Sequence, residues 1–265
     1  MSLPTDVVDY ILSFLQVSAL ESCAQSHPLL SKLVERHLYS SIILLDAPLY
    51  PWARDTCHLY LRISQLIKRI SDNAHIANYV RNLTIYVTND FGLFRSTNLE
   101  DILPIMPMFS QLRKVTFSDD TGRGLSWQRL SMKFRSAFFS TLNQQPLKDV
   151  SIRHISDFPL SLLDNCETVR SLTLHRCSYV YHEDALHISG STTLESLSIR
   201  DCDEASLRSI IAWVQTRRVR SLEFLQRFRL LPQLLSGCVN SLTDLTLDFY
   251  HESASCIFLI MGFWS

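Results

Sequence analysis

The 265-residue chain is 46% hydrophobic with a formal net charge of −1, which suits one large globular domain or a small one plus a larger one and supplies no bulk field for nucleic acid or an anionic membrane. Its seven cysteines include no CxxC pair, so buried thiols in a reducing compartment are expected rather than a disulfide framework or a zinc site. No basic-then-apolar signal pattern opens the sequence, and the longest apolar run, residues 256–261, is far too short to span a bilayer, which points to a cytoplasmic or nuclear protein.

Leu3 and Pro4 lead into an apolar face formed by Val7, Val8, Ile11, Leu12, Phe14 and Leu15. That spacing predicts a helix, with Thr5 or Asp6 as its cap and Asp9 in the first turn, where negative charge suits the helix dipole. Ser18 and Glu21 have capping-box spacing for a second, short helix over residues 19–25. Pro28 suits the first turn of a third helix, because its missing donor would be unpaired there anyway. Leu29, Leu30, Leu33, Val34 and Leu38 form the apolar face of that helix, and Ile42, Ile43 and Leu44 read as the first strand. Three helices of this size bury little alone and need the rest of the chain or a partner.

Residues 2–42, through Leu3, Pro4, the apolar face up to Leu15, the stretch from Ala19 to Ala24 and the leucines from Leu29 to Leu38, resemble an F-box. They are similar in particular to the divergent F-boxes of mushroom-forming fungi. The resemblance implies binding to a Skp-type adaptor and through it to a cullin ubiquitin ligase. By that resemblance Leu3, Pro4, Val7, Val8, Ile11 and Leu15, with Leu20, Leu29 and Leu33, face the adaptor or support that face. Residues 25–29 depart from the pattern: many F-boxes carry a tryptophan there that anchors the third helix, and this stretch has none. If no adaptor binds, the same helices are a cap on the remainder of the chain.

Residues 43–79 read as a connecting segment, broken by Pro48 and Pro51, with a helix predicted at Ile63, Leu66, Ile67 and Ile70. Residues 80–265 then repeat one pattern: apolar, two residues, apolar, a small polar residue, apolar. It occurs at Val80/Leu83/Ile85, Leu112/Val115/Phe117, Leu147/Val150/Ile152, Val169/Leu172/Leu174, Leu194/Leu197/Ile199, Val219/Leu222/Phe224 and Leu242/Leu245/Leu247. The later intervals fall in the leucine-rich-repeat range. Alternation marks a half-buried strand, and such a strand buries its apolar side only when neighbours stack on it. Cys177 and Cys202 come just after two of these strands, at the position where leucine-rich repeats use a small buried group to close the turn. Trp127, Leu130, Phe134, Phe138 and Leu142 predict a helix capped by Ser126. Leu207, Ile210, Ile211 and Val214 predict another, and residues 98–103 a short one stopped by Pro104. The expected fold is therefore α/β: an N-terminal three-helix F-box, then a leucine-rich-repeat-like solenoid with a parallel sheet on the concave face and helices or loops on the convex face. The apolar tail, residues 254–265, is expected either to close the last repeat or to mark an array cut short, since repeat arrays need a polar cap.

Residues between the apolar ones point to the concave face. One predicted column runs Tyr86, Ser118, Arg153, His175, Arg200, Leu225, Asp248; another runs Thr84, Thr116, Ser151, Thr173, Ser198, Glu223, Thr246. Tyr86, Arg153, His175 and Arg200 are the candidate target-binding residues, and the cations suit an acidic or phosphorylated segment. No phosphate-loop, GxGxxG, HExxH or GxSxG motif occurs, and there are only six glycines. The close Cys/His pairs, Cys57/His58 and His175/Cys177, are given no catalytic role. The acidic pairs Asp119/Asp120 and Asp201/Asp203 read as solvated loop carboxylates. No cofactor, metal, nucleic acid or membrane partner is expected. The expected function is a non-catalytic substrate receptor of a Skp–cullin–F-box ligase, contributing proximity rather than a reacting side chain. The alternative is a repeat scaffold without an adaptor.

Overall fold

A nine-stranded, all-parallel sheet organises the chain. The computed structural model describes residues 3–45, 58–87, 97–119, 124–164, 166–177, 179–180, 193–215, 217–225 and 230–247. Three helices come first: α1 (Thr5–Leu12), α2 (Val17–Ser26) and α3 (Pro28–Leu38). Strands β1 (Ser41–Leu45) and β2 (Leu59–Arg62), helix α4 (Ile63–Asp72), β3 (Asn82–Val87), α5 (Thr97–Glu100) and β4 (Lys114–Asp119) succeed them. Next come β5 (Leu125–Ser126), α6 (Met132–Gln144), β6 (Asp149–Arg153), β7 (Ile155–Ser156), β8 (Phe158–Pro159), β9 (Ser171–His175) and β10 (Tyr179–Val180). The described residues close with β11 (Thr193–Arg200), α7 (Glu204–Val214), β12 (Arg218–Leu225), α8 (Leu231–Cys238) and β13 (Asp244–Leu247).

The sheet order is β13-β12-β11-β9-β6-β4-β3-β1-β2. Every long strand from β3 onward thus lies beside the next long strand in sequence. The register aligns two inward columns. One is Leu59, Ile42, Leu83, Val115, Val150, Leu172, Leu197, Leu222, Leu245; the other is Leu61, Leu44, Ile85, Phe117, Ile152, Leu174, Ile199, Phe224, Leu247. All but Leu245 and Leu247 are buried, and those two are partly so. Helices and turns cover these columns. Phe117 meets Trp127, Phe134 and Phe138 at ring separations of 5.5–6.3 Å, and Trp127 meets Phe158 at 5.0 Å.

The strands are joined by a recurring backbone device. The carbonyl just before one strand accepts two N–H groups from the next unit. Arg81 accepts from Arg113 and Lys114 (2.7 and 3.0 Å), Arg113 from Lys148 and Asp149 (2.7 and 3.0 Å), and Lys148 from Arg170 and Ser171 (2.8 and 2.9 Å). At the other strand end, His154, Arg176 and Asp201 adopt left-handed φ of 55°, 48° and 49°. Each donates its N–H to the last carbonyl of the neighbouring strand, as from His154 to His175 at 2.8 Å. A non-glycine residue is strained there by roughly 1–2 kcal/mol, and this bond offsets the cost. Two residues past the strand, the Cys177 thiol donates to the Ile152 carbonyl at 3.2 Å, and the Cys202 thiol lies 3.8 Å from the Leu174 carbonyl. Cysteine therefore closes the turn where the spacing places it.

Several local expectations need correction. Pro4, not Thr5 or Asp6, is the N-cap of α1, its carbonyl accepting from Val7 and Val8 (3.1 and 3.2 Å). The Ser18/Glu21 box does not form, because α2 begins two residues earlier at Val17, which packs against the core. Ser126 belongs to β5 and gives its hydroxyl to Asp157 at 2.8 Å, so Ser131 caps α6 through Phe134 N–H at 3.2 Å. Trp127 and Leu130 are buried, but they precede that helix. The short helix expected over 98–103 ends at Glu100. Asp119 is buried within β4 rather than solvated in a loop, and Asp203 caps α7 by accepting from Ser206 N–H at 2.7 Å. Strand β2 and helix α8 were not expected. Cys57, Asp120, Asp248 and the tail at 254–265 lie outside the described residues.

One buried ion pair ties the covering layer together. Asp164 accepts from Trp213 Nε1 at 2.8 Å and from Arg217, whose guanidinium lies 3.9 Å from the Trp213 ring centroid. The Asp164 and Arg217 side chains are 4% and 7% exposed. Asp164→Ala strands a buried cation and is expected to lower unfolding free energy by about 3–5 kcal/mol. The urea midpoint measures this, and Asp164→Asn, which keeps an acceptor for Trp213, is expected to cost less.

Candidate functional site

Two surfaces carry the residues that stand out in the sequence. The first is the outer side of the three-helix unit. Leu12 and Leu20 face inward, and Val8, Leu15 and Leu33 are partly buried against the core. On the opposite side, Val7, Tyr10 and Ile11 of α1, with Leu3 before the helix and Phe14 in the turn after it, fall at helical spacing and stand exposed, with Leu3 at 64%, Ile11 at 47% and Phe14 at 69%. Leu29, at the start of α3, is 76% exposed. Pro4 is exposed as well. Of the nine candidate adaptor residues, then, Leu3, Pro4, Val7, Ile11 and Leu29 are on the surface. Val8, Leu15 and Leu33 back it, and Leu20 can only support it from beneath. Tyr10 and Phe14 are not among those nine, yet they complete the exposed row. Their rings pack edge to face at 4.8 Å, and their spacing from Leu3 and Val7 was the available signal.

The orientation of α1 is held by a charged clasp. Asp9 binds His37 Nε2 at 2.8 Å and pairs with Arg36, both on α3. The hydrogen bond from His37 is the main reason that the Asp9 carboxyl lies below its ordinary pKa, with the Arg36 and His37 charges adding to it. Further along, Arg69 of α4 donates to the Tyr39 hydroxyl at 2.6 Å, and His75 meets Glu35 of α3 at 3.1 Å. These contacts fasten the helical unit to the β1 end of the sheet. The stretch 25–29 is the α2–α3 junction, where His27 Nδ1 accepts from Leu29 N–H at 3.1 Å and Pro28 is the first residue of α3.

The second surface is the outward side of the sheet, on which Thr116, Ser118, Ser151, Ser198 and Leu225 are buried rather than open as expected. Both predicted columns are in register as far as they are described: Tyr86–Ser118–Arg153–His175–Arg200–Leu225, and Thr84–Thr116–Ser151–Thr173–Ser198–Glu223–Thr246. Arg153, His175 and Arg200 are therefore neighbours, while Tyr86 is separated from Arg153 by the strand carrying Ser118. The two arginines are held alike, Arg153 Nε donating to Ser151 Oγ at 3.0 Å and Arg200 Nε to Ser198 Oγ at 3.3 Å.

The charge of this patch differs from what the column alone implies. Glu223 accepts from Ser198 at 2.6 Å and from Arg200 Nη2 at 2.8 and 3.0 Å; the Ser198 bond first, then the Arg200 bonds and charge, pull its pKa down. Asp201 lies 3.2 Å from Arg176 and 3.5 Å from His175. Among the described residues, Arg153 has no carboxylate at ion-pair distance. The His154 and His175 rings lie 4.9 Å apart. Burial lowers both pKa values. Repulsion from the arginines, and from His175 on His154, acts with it; Asp119 opposes the shift at His154 and Asp201 at His175. Glu223 was already in the second column, but its pairing needs the diagonal contact across strands.

No protein-family model and no curated protein matches the chain. Among the described residues no cluster of three or more histidine, cysteine or acidic side chains could hold a metal, and no helix is long and apolar enough to cross a membrane.

Because Asp9 titrates below its ordinary value of 3.8, its clasp contributes fully above that pH and is lost as pH falls through the lower folded value. Hydrogen exchange in α1 is expected to accelerate over that acid window in the native chain. In Asp9→Asn, exchange in α1 should already be faster at neutral pH and should lack that step.

Proposed function

We propose that the chain is a substrate receptor of a Skp–cullin–F-box ubiquitin ligase. In this reading the three-helix unit is an F-box that docks a Skp-type adaptor, and the sheet behind it is a leucine-rich-repeat-like solenoid that holds a target protein. The observation that carries the proposal is the exposed row Leu3, Val7, Tyr10, Ile11 and Phe14, together with an exposed Leu29 on α3. A helical cap on a repeat array needs a polar outer face. This unit turns large apolar side chains outward instead, and such a patch marks a protein contact. The scaffold-only alternative leaves that row without a purpose.

The solenoid half of the proposal draws on the sequential parallel pairing, the paired apolar columns, the left-handed residue after successive strands and the cysteine-closed turns. The receptor half requires no catalytic side chain here, since holding a target near a transfer site supplies rate through proximity. In the native chain the adaptor-facing and target-facing surfaces then lie on different elements.

Ile11→Asp and Phe14→Asp are expected to lower affinity for a purified Skp-type adaptor by more than roughly tenfold, as for anchors at the centre of an interface. Thermal unfolding should change little, because neither side chain is buried. An adaptor that fails to bind the native chain, or binds the variants equally well, would sink the receptor reading and leave the scaffold. Arg153→Ala with Arg200→Ala should reduce the set of captured target proteins without weakening adaptor binding. An unchanged set would remove the outward patch from the target site.

A further inference from the structure

The same position in four successive strand units carries a cation. Arg81, Arg113, Lys148 and Arg170 each come directly after the first buried residue of a unit and precede strands β3, β4, β6 and β9, and all four are exposed. Their backbones are locked in line by paired hydrogen bonds, each carbonyl accepting two N–H groups from the next unit. Neighbouring strands lie about 4.8 Å apart, so the row extends roughly 15 Å along the sheet rim where the strands begin. Lys114, beside Arg113, is exposed as well. Among the described residues Arg81, Arg113 and Lys148 have no carboxylate at ion-pair distance. The row ends where Glu195 takes the same position and lies 4.0 Å from Arg170. This contrasts with the outward patch at the other strand ends, where Glu223 and Asp201 already occupy two arginines.

We infer that this rim is a docking surface for an acidic segment of a partner protein. Four cations at fixed separation concentrate positive potential on one edge of a chain whose net charge is −1. Such a row favours a partner that presents carboxylates in series, and it acts on association rate and orientation. The neighbouring outward residues are Asn82, Asp149, Ser171 and Ser196. They offer no aromatic platform for single-stranded nucleic acid and no apolar wedge for a lipid surface. The inference does not rest on the adaptor reading, since the rim and α1 share no residue.

The test uses the full native chain and a fluorescent oligoglutamate peptide, with a single-stranded RNA of equal charge and anionic phospholipid vesicles as the other arms. The peptide is expected to bind at low salt and weaken as salt rises. Arg113→Glu with Lys148→Glu should reduce its affinity by at least roughly tenfold. The charge-matched control, Arg129→Glu with Lys133→Glu on exposed positions elsewhere, should reduce it far less. Thermal unfolding of both variants checks that they fold. Equal loss in the control, no binding to the native chain, or tighter binding of RNA or vesicles than of peptide would each overturn the inference.

Discussion

Two columns of apolar side chains run the length of the nine-stranded sheet, and most other placements result from keeping them out of water. A single strand such as Asn82–Val87 has Leu83, Ile85 and Val87 on one side and nothing of its own to cover them. Parallel neighbours in register turn these short rows into one continuous layer, and the covering segments seal it. The hydrophobic gain is cumulative along the sheet. The backbone hydrogen bonds at each strand end hold the register that makes it possible, because a slip of one residue would turn each row outward.

That constraint uses up the inward side and leaves the two rims and part of the outward side chemically open. The outward columns carry basic and acidic side chains that packing does not require, beside the buried hydroxyl residues Thr116, Ser118, Ser151 and Ser198. At one strand end the left-handed residues His154, Arg176 and Asp201 bring charged and imidazole groups beside the patch. At the other, packing does not dictate the residue before each strand, and four units place Arg or Lys there. The helical unit is bound to the same constraint: Val34, Leu38 and Tyr39 join the core at its β1 end. With its inner face committed there, α1 keeps an outer row of apolar side chains for which no packing role remains.

Much of the register was legible in the sequence, since period-two alternation at Leu83/Ile85 or Leu172/Leu174 admits only one inward face. The positions of Cys177 and Cys202 were legible from another signal, their recurrence three residues after Leu174 and Ile199. Helix starts were less so. A cap is a local preference of about 1 kcal/mol, whereas Trp127 is placed by burial against Phe158, a residue far along the sequence. Strand β2 has only Leu59 and Leu61 to announce it and pairs on the far side of β1 from β3. In the candidate sites, Arg153, His175 and Arg200 were correctly grouped. The neutralising Glu223 was hidden, because diagonal pairing depends on side-chain reach across strands. Tyr10 and Phe14 share the spacing of Leu3 and Val7, and only their exposure separates them from the inward Leu12.

The resulting picture is of a sheet that presents several surfaces without coupling their chemistry: an apolar helix face at one end, a partly self-neutralised outward patch, and a basic rim. The apolar helix face is the proposed adaptor surface. Its most direct measurement is hydrogen exchange of the full native chain with and without a saturating purified Skp-type adaptor. The expected result is strong slowing confined to the three helices, Thr5–Leu12 above all, with strands Asp149–Arg153 and Ser171–His175 unchanged. Unaltered exchange in the helices, or protection appearing on the sheet instead, would contradict it.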